Sequence, residues 1–187
     1  MKAMLNKFLL MMAALLGLAA CATPPASPPA AGAAPLLRLA PSALGRTLAL
    51  QQQLTVQAGN RVERIDVLLE ADAQTLRLAL LGMGQTGASL EWDGHDLKQT
   101  QASWWPRAVK AERVLSELQL ALWPADAVRQ ALPPGWTLEA DAATRLLRQG
   151  DQAVIRIRYP SPTRVELLHL RDGYRIDAES RNLEDAP

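Results

Sequence analysis

The chain has 187 residues, the length of one domain, and its 49% hydrophobic and 21% charged content excludes wholesale disorder. A formal charge of +1 excludes a general polyanion-binding role, and a single cysteine excludes a disulfide framework and a cysteine-built metal site. Two histidines, His95 and His169, leave little material for histidine-centred catalysis, so the composition points away from an enzyme.

Lys2 and Lys7 open the chain, and Phe8 to Ala20 follows without a charge. That apolar run is too short to span the ~30 Å of bilayer hydrocarbon as a helix, but it fits the core of a secretory signal over residues 1–20. Leu18-Ala19-Ala20-Cys21 resembles the lipobox of bacterial lipoproteins. The resemblance implies cleavage before Cys21, acylation of its thiol and new amino terminus, and a covalent lipid anchor. Ala22 stands where an aspartate would retain such a protein in the inner membrane, which implies the periplasmic face of the outer membrane. Without the two signal lysines the chain holds 18 basic against 19 acidic residues, so the expected anchor is lipid rather than electrostatic.

Residues 22–35 hold five of the thirteen prolines and no charged or aromatic residue. Such a stretch cannot bury a core and favours extended polyproline II, so residues 21–44 read as a tether and 45–183 as the domain. In the domain, Leu48, Leu50, Leu54 and Val56 alternate with glutamines and Thr55, the period-2 pattern of a half-buried strand. Ile65, Val67 and Leu69 predict a second strand, Leu76, Leu78 and Leu80 a third, Leu90 and Trp92 a fourth, and Leu97 to Gln101 a fifth. The period then changes. Val114, Leu115, Leu118, Ala121 and Leu122 mark one face of a helix starting near Lys110, and Pro124 stops it and opens a second with Val128 and Leu132 inward. Pro133-Pro134-Gly135 ends the insert, placed near 109–132. Four or five more strands are predicted from Trp136 to Glu179, with turns at Gly150-Asp151 and Asp172-Gly173. The expected fold is mainly β: a curled antiparallel half-barrel of about 9–11 strands with helices on its concave side, a small closed barrel being the competing geometry.

The apolar hairpin Leu80-Leu81-Gly82-Met83-Gly84, the insert broken at Trp123-Pro124 and the C-terminal hairpins, together with the lipobox, resemble LolB-type outer-membrane lipoproteins. Leu90-Glu91-Trp92-Asp93-Gly94, Leu118 to Pro124 and Leu132 to Trp136 are more closely similar to lipoproteins encoded beside aryl-polyene and fatty-acid-like synthesis genes. The resemblance implies a half-barrel that binds or transfers an acyl-type molecule: a lipid, lipoprotein acyl chains such as palmitate, or a polyene product. The expected lining is Leu50, Leu54, Val67, Leu69, Leu78, Leu80, Leu90, Trp92, Leu118, Trp123, Ile155 and Ile157. Leu81 and Met83 would form a membrane-contacting hairpin tip. No cofactor, metal, nucleic acid or catalytic residue is expected. The expected partners are the membrane, the acyl-type ligand and a periplasmic carrier protein, and the chain reads as a monomer. The alternative is a non-catalytic envelope adaptor that docks proteins and has a filled core.

Other patterns have plainer explanations. Gly82-x-Gly84-x-x-Gly87 matches the dinucleotide fingerprint, but a strand follows it where a helix is required. Trp104-Trp105-Pro106 reads as a hinge packed on the sheet, or as an interfacial anchor or lid. Arg156, Arg158, Arg164, Arg171 and Arg175 are diluted by Glu166, Asp172, Asp177 and Glu179 and read as a solvated strand face. His95 lies in a turn, and His169 alternates with Val165 and Leu167 as a core histidine does.

Overall fold

The structure is a computed structural model that describes residues 33–106 and 109–183. The expected signal at 1–20, the expected lipid attachment at Cys21 and residues 21–32 of the expected tether lie outside the described residues. Ten strands form one sheet: β1 (Leu48–Ala58), β2 (Arg61–Ala71), β3 (Leu76–Gly82), β4 (Gln85–Trp92), β5 (Leu97–Gln101), β6 (Trp136–Ala140), β7 (Thr144–Gln149), β8 (Gln152–Ser161), β9 (Arg164–His169) and β10 (Tyr174–Asn182). Two helices, α1 (Ala111–Leu122) and α2 (Ala125–Ala131), separate β5 from β6. The alternating stretches became strands, and the stretch with helical spacing became α1.

The spatial order is β5-β4-β3-β2-β1-β10-β9-β8-β7-β6, with every neighbouring pair antiparallel. Each half of the chain is a five-strand meander, and the halves join where β1 pairs with β10 from Leu50↔Asn182 to Ala58↔Tyr174. The two edges, β5 and β6, are joined through the helices and not through hydrogen bonds. The sheet is therefore open, and a closed barrel is excluded. One face carries the apolar residues, including Val67, Leu69, Leu78, Leu80, Ile155, Ile157 and Leu167.

The helices lie on that face, fixed by polar anchors from the strands. Tyr159 Oη donates to the Ala121 carbonyl at 2.8 Å. Arg145 donates to the Leu120 and Trp123 carbonyls at 2.6 and 2.7 Å. These bonds satisfy carbonyls that the end of α1 leaves without intrahelical partners. Arg129 of α2 donates to the Leu138 carbonyl of β6 at 3.0 Å. Pro124 precedes α2 as its cap residue, one position earlier than the sequence places it.

The compact unit begins at Ala34, not near residue 45. Residues 34–44, read above as tether, pack as a strap along α1, with Ala34, Leu37, Pro41 and Leu44 buried. Strap backbone and α1 side chains pair closely: Leu37 N–H with Ser116 Oγ (2.9 Å), Leu39 N–H with Gln119 Oε1 (2.9 Å), and Gln119 Nε2 with the Leu39 carbonyl (2.8 Å). Trp92 and Trp123 donate their indole N–H groups to the Leu39 and Ala40 carbonyls at 2.8 and 3.1 Å. An extended strand without sheet partners can be buried only when side chains satisfy its backbone, and these five bonds do so.

Candidate functional site

The strap covers α1 towards the end of the sheet where Trp92 and Trp123 lie, and leaves the opposite end less filled. The registers place the β1–β2, β3–β4 and β9–β10 turns together at that opposite end. There a cavity of about 750 Å³ lies between the sheet and α1. Its sheet wall descends β1 through Ala58, Val56, Leu54 and Gln52, and continues on Ile65, Leu80, Val165, Leu167 and Ile176. Its helix wall is Lys110, Arg113, Val114, Glu117, Leu118, Ala121 and Leu122. Trp104, Trp105 and Pro106 close one side. The exposed rim residues Arg61, Met83, Trp104 and Lys110 put its mouth in contact with solvent. The volume lies within the ~300–1,000 Å³ typical of small-molecule sites, and the walls are predominantly apolar as such sites are.

One corner is polar. Glu117 is 9% exposed, and the Tyr174 hydroxyl donates to its Oε1. Burial pushes the Glu117 carboxyl up to about 7, against the opposing pull of the Tyr174 hydrogen bond and of Arg113. Tyr174 is raised in turn by its own burial and by the carboxylate beside it. Behind Tyr174, His169 is fully buried and stacks on the phenol ring at 4.9 Å between centroids. The Asp172 N–H donates to His169 Nδ1 at 3.0 Å, which assigns the neutral ring's proton to Nε2, 3.3 Å from Asp172 Oδ2. Burial holds the His169 pKa below its ordinary value, with Asp172 opposing. His169 is thus a hydrogen-bonded core residue that stiffens the β9–β10 turn. Gln52, at the deep end, donates to Ser180 Oγ at 2.8 Å.

The structure divides the residues expected to line a trough. Leu54, Leu80 and Leu118 stand on the cavity wall. Val67, Leu69, Leu78, Leu90, Trp92, Trp123, Ile155 and Ile157 are instead in the packed core, none more than 5% exposed, and Leu50 packs part-buried against it. All these strand residues have the parity of the apolar face. Parity fixes the face of a strand but not the depth along it, and depth decides what covers a residue. The strap and the helices fill the positions that were expected to be open.

Glu117 was missed, although a signal exists: it lies three residues after Val114 and four before Ala121, which helical spacing puts on the same face. On the opposite side of α1, Ser116 and Gln119 are buried under the strap. No pattern in the helix alone reveals a strap.

The hairpin tip is a two-residue turn, Met83-Gly84, with φ of 53° and 75°. Both are left-handed, as a tight hairpin of this kind requires, and a side chain such as methionine is disfavoured there by about 1–2 kcal/mol. Met83 is 89% exposed, while Leu81 is half-buried. Next to the tip, Gly87 is the extra residue of a bulge between Leu80 and Leu81 on β3 and their partners on β4. A Cβ on Gly87 would lie 1.9 Å from the Trp105 ring, so the indole occupies the space the missing side chain leaves. Trp105 is buried and meets the exposed Trp104 edge-on at 5.6 Å. Arg156, Arg158 and Arg164 of the last hairpins sit on a solvated face, where Glu166 accepts from Arg158 at 2.6 Å and Arg164 at 3.2 Å, whereas Arg171 is half-buried and lies over the Trp136 ring at 5.6 Å. Among the described residues no three His, Cys, Asp or Glu side chains gather to hold a metal ion, and no helix is long and apolar enough to cross a membrane.

Residues 49–182, from β1 to the end of β10, match the family described as "Protein of unknown function (DUF3261)". The chain belongs to the DUF3261 family. The match takes in the whole sheet and both helices of this DUF3261 protein, hence every wall of the cavity, and leaves the strap outside. No curated protein matches the sequence.

Proposed function

We propose that this protein is a lipoprotein, anchored through Cys21 to the periplasmic face of the outer membrane, that binds or transfers a hydrophobic acyl-type molecule in a LolB-like half-barrel. The observation that carries the reading is the cavity of about 750 Å³ with its apolar walls of strand and helix residues. An acyl chain leaving water for those walls gains ~25 cal/mol per Å² buried, and it passes from there to a bilayer interior with little net change. Exchange between two apolar environments needs no catalytic group, and no step of this mechanism asks for one. A periplasmic carrier would present the ligand, and the membrane would receive it.

Met83 supports the transfer part of the reading. An exposed methionine in a left-handed turn contributes nothing to packing and works against the turn, so its value lies in what it touches outside the domain. With exposed Trp104 it flanks the cavity mouth, where an apolar tip next to an aromatic side chain suits the bilayer interface. The adaptor reading expects a filled interior, and the cavity weighs against it.

Native mass spectrometry with lipidomics on the protein purified from its host tests the proposal. Co-purifying acyl or polyene species, lost in Leu54→Gln and Leu118→Gln, are the expected result. A clean apo mass with no uptake of added lipid or lipopeptide would overturn it.

A further inference from the structure

The cavity differs along its length, and that difference bears on the chemistry of its occupant. Its depth is apolar, with Leu54, Ile65, Leu80 and Leu118. Its wall also carries Arg61, Arg64, Lys110 and Arg113 against Glu63, Asp172 and Glu117. Glu117 is buried and engaged by the Tyr174 hydroxyl, so the carboxylates open to the mouth are Glu63 and Asp172, against four cationic groups on the wall. Several arginines elsewhere on the sheet are paired at short range, Arg77 with Glu91 at 3.1 Å, Arg158 with Glu166 at 2.6 Å and Arg175 with Asp177 at 2.9 Å, although Arg156 on the solvated face has no such partner among the described residues. Among the described residues, none of the four cavity cations has a carboxylate within 4.0 Å. Arg113 donates one bond, to the Ala34 carbonyl at 3.3 Å.

The placement of these charges is directional. Lys110 precedes the first turn of α1, and Arg113 lies three residues on, both on the cavity wall above Leu118. Arg61 begins β2 beside the β1–β2 turn. An occupant with its chain in the apolar depth would therefore present its other end to these cations. An anionic group there regains in charge-assisted hydrogen bonds what it loses in hydration, whereas a neutral ester or alcohol has less to gain.

We propose that the cavity takes a single-chain amphiphile with a carboxylate head, the chain packed against Leu54, Leu80 and Leu118 and the head held at the mouth by Lys110, Arg113 and Arg61. This rests on the acyl-binding reading and adds the head-group chemistry to it. A fatty-acid-type molecule enters chain first and leaves head first, so recognition of the head and release into a membrane occur at the same rim.

The test uses residues 21–187 with Cys21→Ser, so that no acyl chain of the protein itself competes. cis-Parinaric acid and its methyl ester share one fluorescent chain and differ in the charge of the head. Titrated at pH 8 below micelle formation, the acid is expected to bind about tenfold more tightly than the ester, and 0.5 M salt should reduce the difference. Lys110→Gln with Arg113→Gln should bring the two affinities within about threefold by weakening the acid alone. Because Arg113 also holds the strap, Arg61→Gln with Lys110→Gln is the second variant and should narrow the gap without lowering the Tm. Equal affinities in the unmodified protein overturn the head-group proposal while leaving acyl binding standing. A preference that survives in both variants also overturns it, since the head would then sit elsewhere. Binding of neither probe overturns the acyl-binding reading itself.

Discussion

Glu117 makes the stability of this domain depend on pH in a direction opposite to that of most carboxylates. Burial raises its carboxyl from the ordinary 4.5 to about 7, with Tyr174, Arg113 and Asp172 facing it and Asp172 adding to the rise. The folded state therefore holds the proton more tightly than the unfolded chain. Below about pH 4.5 both states are protonated and the contribution is fully present. As pH rises towards 7, the unfolded chain ionises while the folded one does not, and stability falls by about 1.4 kcal/mol per pH unit. Between pH 5 and 8 the loss amounts to roughly 2–3 kcal/mol. Glu117→Gln keeps an oxygen for the Tyr174 hydroxyl and removes the ionisation. Urea unfolding of both proteins, followed by tryptophan fluorescence, reads the effect as the difference between them at each pH. His169, whose lowered pKa adds stability as pH rises through its own range, is common to both and cancels. Wild type should lose roughly 2–3 kcal/mol relative to the glutamine variant from pH 5 to 8. A difference constant across that range would refute the reasoning, because the carboxyl would then titrate as it does in the unfolded chain.

Gly87→Ala should drive the Trp105 ring from its seat, red-shifting the indole emission and destabilising the domain by about 1–3 kcal/mol; unchanged emission and stability would show the ring is not seated there. Gln119→Ala should lower stability by about 2–3 kcal/mol, since it leaves the Leu39 N–H buried without its acceptor, measured by urea titration. Starting the chain at residue 45 instead of 34 should lower stability further still, by exposing Trp92 and Trp123 and removing four buried strap residues. Met83→Asp should abolish ligand transfer to lipid vesicles with little change in Tm, because the side chain is 89% exposed and packs on nothing that must be rebuilt. Transfer at the wild-type rate would remove the tip from the mechanism.

Much of the fold is legible in local patterns. Leu48 to Val56 and Ile65 to Leu69 alternate because one face of each strand meets the core, and α1 shows its spacing because one side meets the sheet. What is not legible depends on distant segments. Residues 34–44 look like more tether because Ala34-Pro35 continues a proline-rich run, and their burial depends on Ser116 and Gln119, some eighty positions away. The same strap explains why Trp92 and Trp123 form core where wall was expected. Leu54, Leu80 and Leu118 reach the cavity, whereas Val67 and Leu69, on the same sheet face, are covered. Glu117 was readable from spacing alone, but its meaning required Tyr174, which only the β10 register brings to it.

The meeting of β1 and β10 has a kinetic consequence. Every other strand pair joins neighbours in the chain and can form as soon as its hairpin exists. The central pair joins Leu50 to Asn182, so it waits for nearly the entire sequence and carries the largest loop-closure penalty in the molecule. The two meanders can assemble first and zip together last. Because the cavity has walls on both sides of that seam, from Leu54 on β1 to Ile176 on β10, no half-folded chain can hold a ligand there. The cavity is therefore complete only once β10 has paired with β1.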